Sequence, residues 1–416
     1  MARIAVIGSG ISGMAVAHFL SRKHEVWLFE KENRIGGHTH THHIDTSVGV
    51  RPIDTGFIVH NERTYPNLVR LFRELGVETQ DSDMSFGVSC RDTGFEYSSR
   101  GLQGFFADRL NVLRPNHYSL LREILQFNRR AGEDLCSGAA SDLSLAEYLR
   151  LRNPGRLLRE RYLYPMASAV WSTSTAAIES FPAATLLRFF ENHGMLGLQT
   201  HPTWKTVRGG SSAYIGPLVR PYQRQIRLGA GLTKVERSEN SVLLRFEDSE
   251  AQRFDHAVLA CHAPQALRLI DRPSTAEQQI LSSFQTSAND TKLHTDASLL
   301  PRRPRARASW NYHLGGTGST AATLTYHMNR LQALDTPENY CVTLNDGGAV
   351  SPAHLLRSMT YHHPLFTTAA VGAQGRWAEI SGVNRIHYCG AYWFYGFHED
   401  GLNSAIRVAG TLGVEW

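Results

Sequence analysis

The sequence predicts an α/β protein, and three adjoining patterns carry that expectation. Arg3-Ile4-Ala5-Val6-Ile7 is a short apolar run of the kind that fills a buried parallel strand. Gly8-Ser9-Gly10-Ile11-Ser12-Gly13 follows at once and opens an apolar helical stretch over residues 14–20. Glu25-Val26-Trp27-Leu28-Phe29 then reads as a second strand that ends on an acid, Glu30. Strand, glycine turn, helix, strand and acid stand in register as one βαβ unit of about 30 residues.

Each residue type in this unit has a chemical reason. Gly8 allows the tight turn, Gly10 removes a side chain where a pyrophosphate must approach the backbone, and Gly13 lets helix and strand pack closely. The N–H groups around Ile11 and Ser12 open the helix and present partial positive charge to phosphate. Glu30 is placed to accept from ribose hydroxyls, with Lys31 beside it.

The next segment chooses the dinucleotide. Glu30-Lys31-Glu32-Asn33-Arg34-Ile35-Gly36-Gly37-His38 continues the acid with an R-x-G-G pattern. Here the chain resembles the FAD enzymes whose glycine pair follows the ribose-binding acid, among them the flavin amine oxidases and carotenoid desaturases. The resemblance implies FAD, held non-covalently, with Arg34 by the pyrophosphate and Gly36-Gly37 letting the chain pass the ribityl side. It also implies cofactor contacts from His38, Thr39, Asp54, Thr55, Gly56 and Phe57. Alternation over residues 38–45 predicts a strand with His38, His40 and His42 on one face, as part of a hairpin near the flavin. No ligand spacing in the sequence supports a metal site there.

Beyond residue 60 the pattern turns helical to about residue 200. Residues 68–75 and 120–127 carry amphipathic spacing, and Ser144-Leu145-Ala146-Glu147 has the spacing of a capping box. Strands follow at residues 225–228, 241–246 and 257–260, where the chain returns to the cofactor domain and Leu232 joins the cofactor-binding set. Residues 291–345 read as a mixed region. Ile386-His387-Tyr388-Cys389 runs into Gly390, and Glu399-Asp400-Gly401-Leu402 opens a last helix. The resemblance sets Gly390, Asp400, Gly401 and Leu402 against the ribityl chain and pyrimidine edge. Tyr392 stands where relatives usually carry a carboxylate, and Asp400 where they often carry glycine.

The expected architecture is therefore a Rossmann-like FAD-binding domain of the amine oxidase/glutathione reductase type, built from discontinuous segments, with an inserted mixed α+β substrate domain. The segments are 1–60, 205–288 and 376–416 for the FAD domain, and 61–204 and 289–375 for the substrate domain.

Further motifs narrow the resemblance. They are Gly36-Gly37-His38-Thr39, Asp54-Thr55-Gly56-Phe57-Ile58-Val59, Asn61-Glu62-Arg63-Thr64-Tyr65-Pro66-Asn67, His294-Thr295-Asp296, Ser309-Trp310-Asn311-Tyr312 and Gly396-Phe397-His398-Glu399-Asp400-Gly401. With these the chain is similar to bacterial NAD/FAD-binding oxidoreductases encoded beside cyclopropane-fatty-acyl-phospholipid synthases. It also resembles the oxidase-like region fused ahead of plant cyclopropane synthases. The resemblance implies hydride transfer from a C–H bond to flavin, with O₂ as acceptor and an unsaturated or methyl-branched acyl chain, on a phospholipid, as substrate. Amine oxidation, redox-neutral double-bond isomerisation and a non-catalytic role beside a lipid methyltransferase are the alternatives. Rough alignment puts the amine oxidase lysine at Leu293 or His294, and His294, Trp393 and Tyr395 are the catalytic candidates.

Composition sets outer limits. The 416 residues carry a formal charge of +5 with 20 histidines, and no nucleic-acid motif accompanies it. Pro301-Arg302-Arg303-Pro304-Arg305-Ala306-Arg307 reads either as a solvated loop or as a patch for anionic lipid or an anionic substrate. The five cysteines form no C-x-x-C pair, and no run reaches the ~20 apolar residues of a spanning helix. A cytoplasmic protein without a leader is expected, in peripheral contact at most with the inner face of an anionic membrane.

Overall fold

The computed structural model describes residues 1–197, 202–315 and 322–416. A five-stranded parallel sheet lies at the centre of the first core, in the order Ile226–Arg227, Glu25–Phe29, Arg3–Ile7, His256–Leu259, Ile386–Tyr388. Its strands come from three distant stretches of chain. Ile4 to Ile7 are buried on both faces, which is why the run needs no polar alternation. The helix Ile11–Leu20 covers one face, and the closing helix His398–Thr411 packs alongside it. Leu232–Arg237, Val242–Phe246 and Gln252–Phe254 form an antiparallel meander beside the sheet.

The second core is built on a seven-stranded mixed sheet. Its order is Leu355–Leu365, Gln285–His294, Cys341–Leu344, Thr323–His327, Trp310–Leu314, Phe86–Cys90, Phe95–Ser98. Every pairing is antiparallel except that of Trp310–Leu314 with Phe86–Cys90. Helices between Gly101 and Asn192 cover it, their apolar side chains merging with Val88, Tyr97 and Leu324 of the sheet.

The helices expected at 68–75 and 120–127 are Pro66–Leu75 and Pro115–Ser137, and Ser144 with Glu147 forms the capping box. Two expectations are corrected. The stretch from 61 to 200 is not mainly helical throughout: Thr79–Asp81 and Phe86–Cys90 are strands with partners far away in sequence, and Phe95–Ser98 pairs back on Phe86–Cys90. Residues 198–200 of that stretch, and 316–321 of the mixed region, lie outside the described residues. The histidine alternation does not make one strand either, because the strand starts only at Thr41, after a turn through Gly36 and Gly37.

Candidate active site

The glycine turn is shaped as its sequence requires. Gly8 has φ +101°, and a Cβ on Gly13 would lie 1.9 Å from the Gly8 carbonyl oxygen, so only glycine fits that crossing. A Cβ on Gly10 would meet nothing within 4 Å: the helix opens onto free space there. A Cβ on Gly37 would lie 3.0 Å from Gly10 Cα, so the second glycine segment passes directly over the first. Gly36 N–H donates to the Ser9 carbonyl at 3.0 Å and fixes that approach.

Charged groups frame the opening. Glu30 accepts from Ser9 N–H and Ser9 Oγ at 2.8 and 2.7 Å and from Glu32 N–H at 3.0 Å, which ties the acid to the turn. Lys31 is exposed and pairs with Glu32 at 3.4 Å. Arg34 donates from Nη2 to the Gly37 carbonyl at 2.9 Å, while its Nη1 is buried with no partner. A buried guanidinium N–H without an acceptor is costly, and it lies beside the space in front of Gly10. Open space, free helical N–H groups and an orphaned guanidinium together fit the diphosphate of a flavin nucleotide.

The closing element arrives from the other side. Gly390 N–H donates to Ser404 Oγ at 2.9 Å, and a Cβ on Gly401 would lie 2.7 Å from Ile11 Cγ2 and 2.9 Å from Ser12 Oγ. The starts of the first and last helices therefore meet, with Leu402 fully buried behind them. Asp400 accepts from Phe397 N–H at 2.8 Å, and burial pushes its carboxyl up to about 7. Glu399 accepts from Asn67 N–H and Leu68 N–H at 3.0 and 2.8 Å, capping the helix Pro66–Leu75. Leu232 begins the meander, half-buried, just after Ala230 N–H donates to the Glu30 carbonyl.

Thr39, Thr55, Gly56 and Phe57 line the next stretch. Thr39 Oγ1 makes a short hydrogen bond with the Tyr214 hydroxyl and lies 3.0 Å from His398 Nε2. Phe57 lies flat on the His398 ring, centroids 3.7 Å apart. Thr55 Oγ1 meets the Tyr361 hydroxyl at 2.7 Å, and Tyr361 also bonds His40 Nδ1 at 2.9 Å. A Cβ on Gly56 would lie 2.0 Å from the His38 carbonyl oxygen. Asp54 is a correction. Its carboxylate is enclosed by Ser211 N–H, Ser211 Oγ, Thr41 Oγ1 and Gln332 Nε2, and desolvation raises it to about 6 despite these donors. It locks the hairpin to the Ser211 turn rather than facing a cofactor.

Of the three catalytic candidates, two are placed elsewhere than expected. His294 is fully buried inside the second sheet, with Nε2 2.7 Å from Thr343 Oγ1 and Nδ1 accepting from Asp296 N–H. At about 3.4 Å per residue it lies roughly 17 Å along its strand from Asn289. Asn289, not His294, is the residue of this strand that reaches the glycine side: its Nδ2 donates to His363 Nδ1 at 3.1 Å, and the His363 ring lies 5.2 Å from that of His38. Trp393 is buried in the core of the cofactor domain against Phe284 and Tyr392. Tyr395 faces the other core, 6.1 Å from Phe189, and its carbonyl accepts from Trp171 Nε1.

The aromatic wall around Tyr395 has no local signature in the sequence. Phe397 stacks on Phe189 at 5.0 Å, Trp171 lies 6.5 Å from Phe397, and a Cβ on Gly396 (φ +94°) would lie 3.0 Å from Phe366 Cζ. Neither Tyr361 nor His363 is expected at the site from the sequence. The aromatic and histidine run from Tyr361 to His363 was the available signal, but nothing local ties it to residues 38–55. Burial lowers His363 to about 4 and His398 to about 3, and it holds His38 well below its ordinary value, so these rings are neutral at pH 7.

Comparison with known proteins agrees with this geometry. Over all its length the fold matches cyclohexylamine oxidase from Brevibacterium oxydans at 15% identity, covering 99% of each chain with a TM-score of 0.68. It matches a fatty acid isomerase from P. acnes, which produces CLA, at 14% identity, again over 99% of each chain with a TM-score of 0.70. A tryptophan 2-monooxygenase of Allorhizobium ampelinum is 29% identical over 181 residues, 43% of this chain but only 22% of that relative's length. Residues 11–337 match the family described as flavin containing amine oxidoreductase. The match takes in most of the sequence and the fold matches take in nearly all of it, so the chain belongs to the flavin containing amine oxidoreductases and is an FAD-dependent oxidoreductase.

Proposed function

We propose that the protein oxidises an apolar acyl chain, the substrate lying between the glycine-framed flavin site and the wall of Tyr395, Phe397, Phe189 and Trp171. FAD, when bound, supplies a two-electron acceptor that takes hydride from a C–H bond and is reoxidised by O₂. The residues that would hold it are the Gly8–Gly13 turn, Glu30, Arg34, Gly36, Gly37 and the start of the closing helix.

One observation carries the choice of substrate. The two acids that open the closing helix beside Phe397 are already committed to backbone N–H groups, Glu399 at Asn67 and Leu68 and Asp400 at Phe397. An ammonium entering there would find both carboxylates engaged, and desolvating an unpaired cation is costly. An alkyl chain loses nothing on entering such a wall and gains its hydrophobic transfer energy. The aromatic rings exclude water from the reacting carbon. The neutral rings of His363 and His38 add no charge against it. The fatty acid isomerase of the same fold, and the resemblance to oxidoreductases encoded beside cyclopropane synthases, support the same direction. A lipid methyltransferase would then be the natural partner, supplying or consuming the modified acyl chain.

The test is anaerobic mixing of the yellow protein with phospholipid extract and, separately, with primary amines, while flavin absorbance is followed. Bleaching by lipid alone is expected. Bleaching by amines and not by lipid would overturn the proposal, and lipid converted in a parallel reaction in air with no oxygen consumed would replace oxidation by isomerisation.

A further inference from the structure

The helical layer carries a surface that the flavin site does not use. Among the described residues, the exposed large apolar side chains concentrate between positions 102 and 125: Leu102, Leu110, Val112, Leu113, Tyr118 and Leu125. The 3-10 helix Arg109–Leu113 starts on Asp108, whose carboxylate accepts from Leu110 N–H at 3.0 Å. At three residues per turn Leu110 and Leu113 eclipse on one face. They are 59% and 79% exposed, and Leu102 on the preceding turn is 69% exposed. Tyr118 fastens the helix Pro115–Ser137 to this turn by donating to the Val112 carbonyl at 3.0 Å. Tyr118, Leu121 and Leu125 then continue the stripe at helical spacing, with Arg122 and Arg129 alongside in a shallow groove.

Arginines outnumber acids around these leucines. Residues 100–130 hold six arginines and two acids, and Arg100, Arg114 and Arg129 each pair with an acid, Asp83, Asp108 and Glu133. Asp108 accepts from Arg303 at 2.9 Å, and Glu123 accepts from Ser119 Oγ at 3.1 Å. The basic loop at 301–307 packs on the same turn. Arg303 binds Glu96 and Asp108, Ser98 Oγ donates to the Arg305 carbonyl, and the turn Pro304–Ala306 packs on the helix Gly101–Phe105, so the exposed Arg305 flanks the leucine turn while the exposed Arg302 lines a separate cleft with Arg91 and Arg307. Arg305 and the leucine turn form one surface.

Projecting leucines ringed by arginines match an anionic bilayer, with the apolar tips in the acyl boundary and the cations among headgroup phosphates. A second copy of the chain fits poorly, because a two-fold contact sets arginines against arginines. Nucleic acid would use the cations but has no use for protruding leucines. We propose that this face docks the protein peripherally on an anionic lipid bilayer. No helix among the described residues is long and apolar enough to cross a membrane. Docking is independent of the substrate, because it is read without turnover.

The experiment is co-sedimentation of the FAD-loaded protein with vesicles of phosphatidylcholine alone and of phosphatidylcholine with phosphatidylglycerol. Binding to the anionic vesicles, weakened by salt, is expected. The double variant L110D/L113D lowers partitioning by about tenfold or more. R305Q lowers it by about fivefold. L228D, at an exposed leucine elsewhere, leaves it unchanged. Flavin absorbance and thermal midpoint serve as folding controls. Absence of binding at low salt, or binding that survives L110D/L113D, overturns the proposal, as does retention of the protein by a DNA duplex with none by vesicles.

Discussion

The Arg34 guanidinium reaches the Gly37 carbonyl through Nη2 at 2.9 Å and holds Nη1 buried beside it with no acceptor. One half of the side chain thus shapes the second glycine segment, and the other half waits for an anion. A charge-assisted hydrogen bond to a buried acceptor is worth about 1.5–3 kcal/mol. Arg34→Met is expected to weaken FAD binding by roughly tenfold to a hundredfold while the apoprotein keeps its fold. Titration of apoprotein with FAD by flavin fluorescence checks it; unchanged affinity would remove Arg34 from the site.

Gly13→Ala places a methyl group 1.9 Å from the Gly8 carbonyl oxygen, a backbone atom that cannot step aside cheaply. The purified variant is expected to be colourless or nearly so, read as the ratio of flavin to protein absorbance. Gly410→Ala is the control. It lies within the closing helix with nothing within 4 Å of the added carbon. That change should stabilise the protein by about 0.5–1 kcal/mol and leave the colour intact.

Stability should fall steeply on acidification. Burial holds ten histidines at about 3 or 4, against an ordinary value of 6.5: His40, His60, His193, His262, His294, His313, His327, His363, His387 and His398. Their contribution is present above pH 6.5 and is lost as pH falls toward 4, because the unfolded chain binds the protons that the folded one refuses. Asp54 and Asp400, raised to about 6 and 7, act in the opposite sense, favouring the folded state below about pH 4 and losing that effect as pH rises toward 7. Two acids do not offset ten histidines. The urea midpoint is expected to drop continuously from pH 7 to pH 5; a flat midpoint over that range would refute the assignment.

Phe397 links the closing helix to the aromatic wall. Phe397→Ala removes an apolar face worth about 1.5–3 kcal/mol. On the proposed acyl substrate it should lower kcat/KM by about tenfold to a hundredfold. Tyr395→Phe keeps the ring and should change the rate little. Equal rates for wild type and Phe397→Ala would place the substrate elsewhere.

The cofactor half of this protein was readable because its signals are local. Gly8 to Gly13, Glu30 and Arg34 to Gly37 lie within 30 residues, and each is needed for a backbone reason that its own neighbours reveal. The substrate half was not. Phe86–Cys90 pairs with Trp310–Leu314, more than 200 residues away, and its burial on both faces erases the alternation that marks a strand. Alignment to the amine oxidase lysine points to His294, yet the strand brings Asn289 to His363 and seats His294 inside the sheet. Asp54 shows the same limit: a D-x-G turn reveals a buried acid but not which side its donors come from. Trp393 and Tyr395, two residues apart, end in different cores because the loop between Gly390 and Gly396 is irregular and carries no period to read.

The order of strands in the parallel sheet has a consequence for biosynthesis. Arg3–Ile7 finds one neighbour early, in Glu25–Phe29, but Ile4 sits opposite His256 on its other edge and Leu259 sits opposite Tyr388, so that second edge waits for a strand some 250 residues later, and the last strand arrives only near the end. At ribosomal rates of about 5–20 residues per second that wait lasts tens of seconds, with a bare apolar edge in the nascent chain. Capture of the cofactor is later still, since Gly401 must close onto Ile11 and Ser12. In a newly made chain that edge is therefore exposed before the flavin site can close.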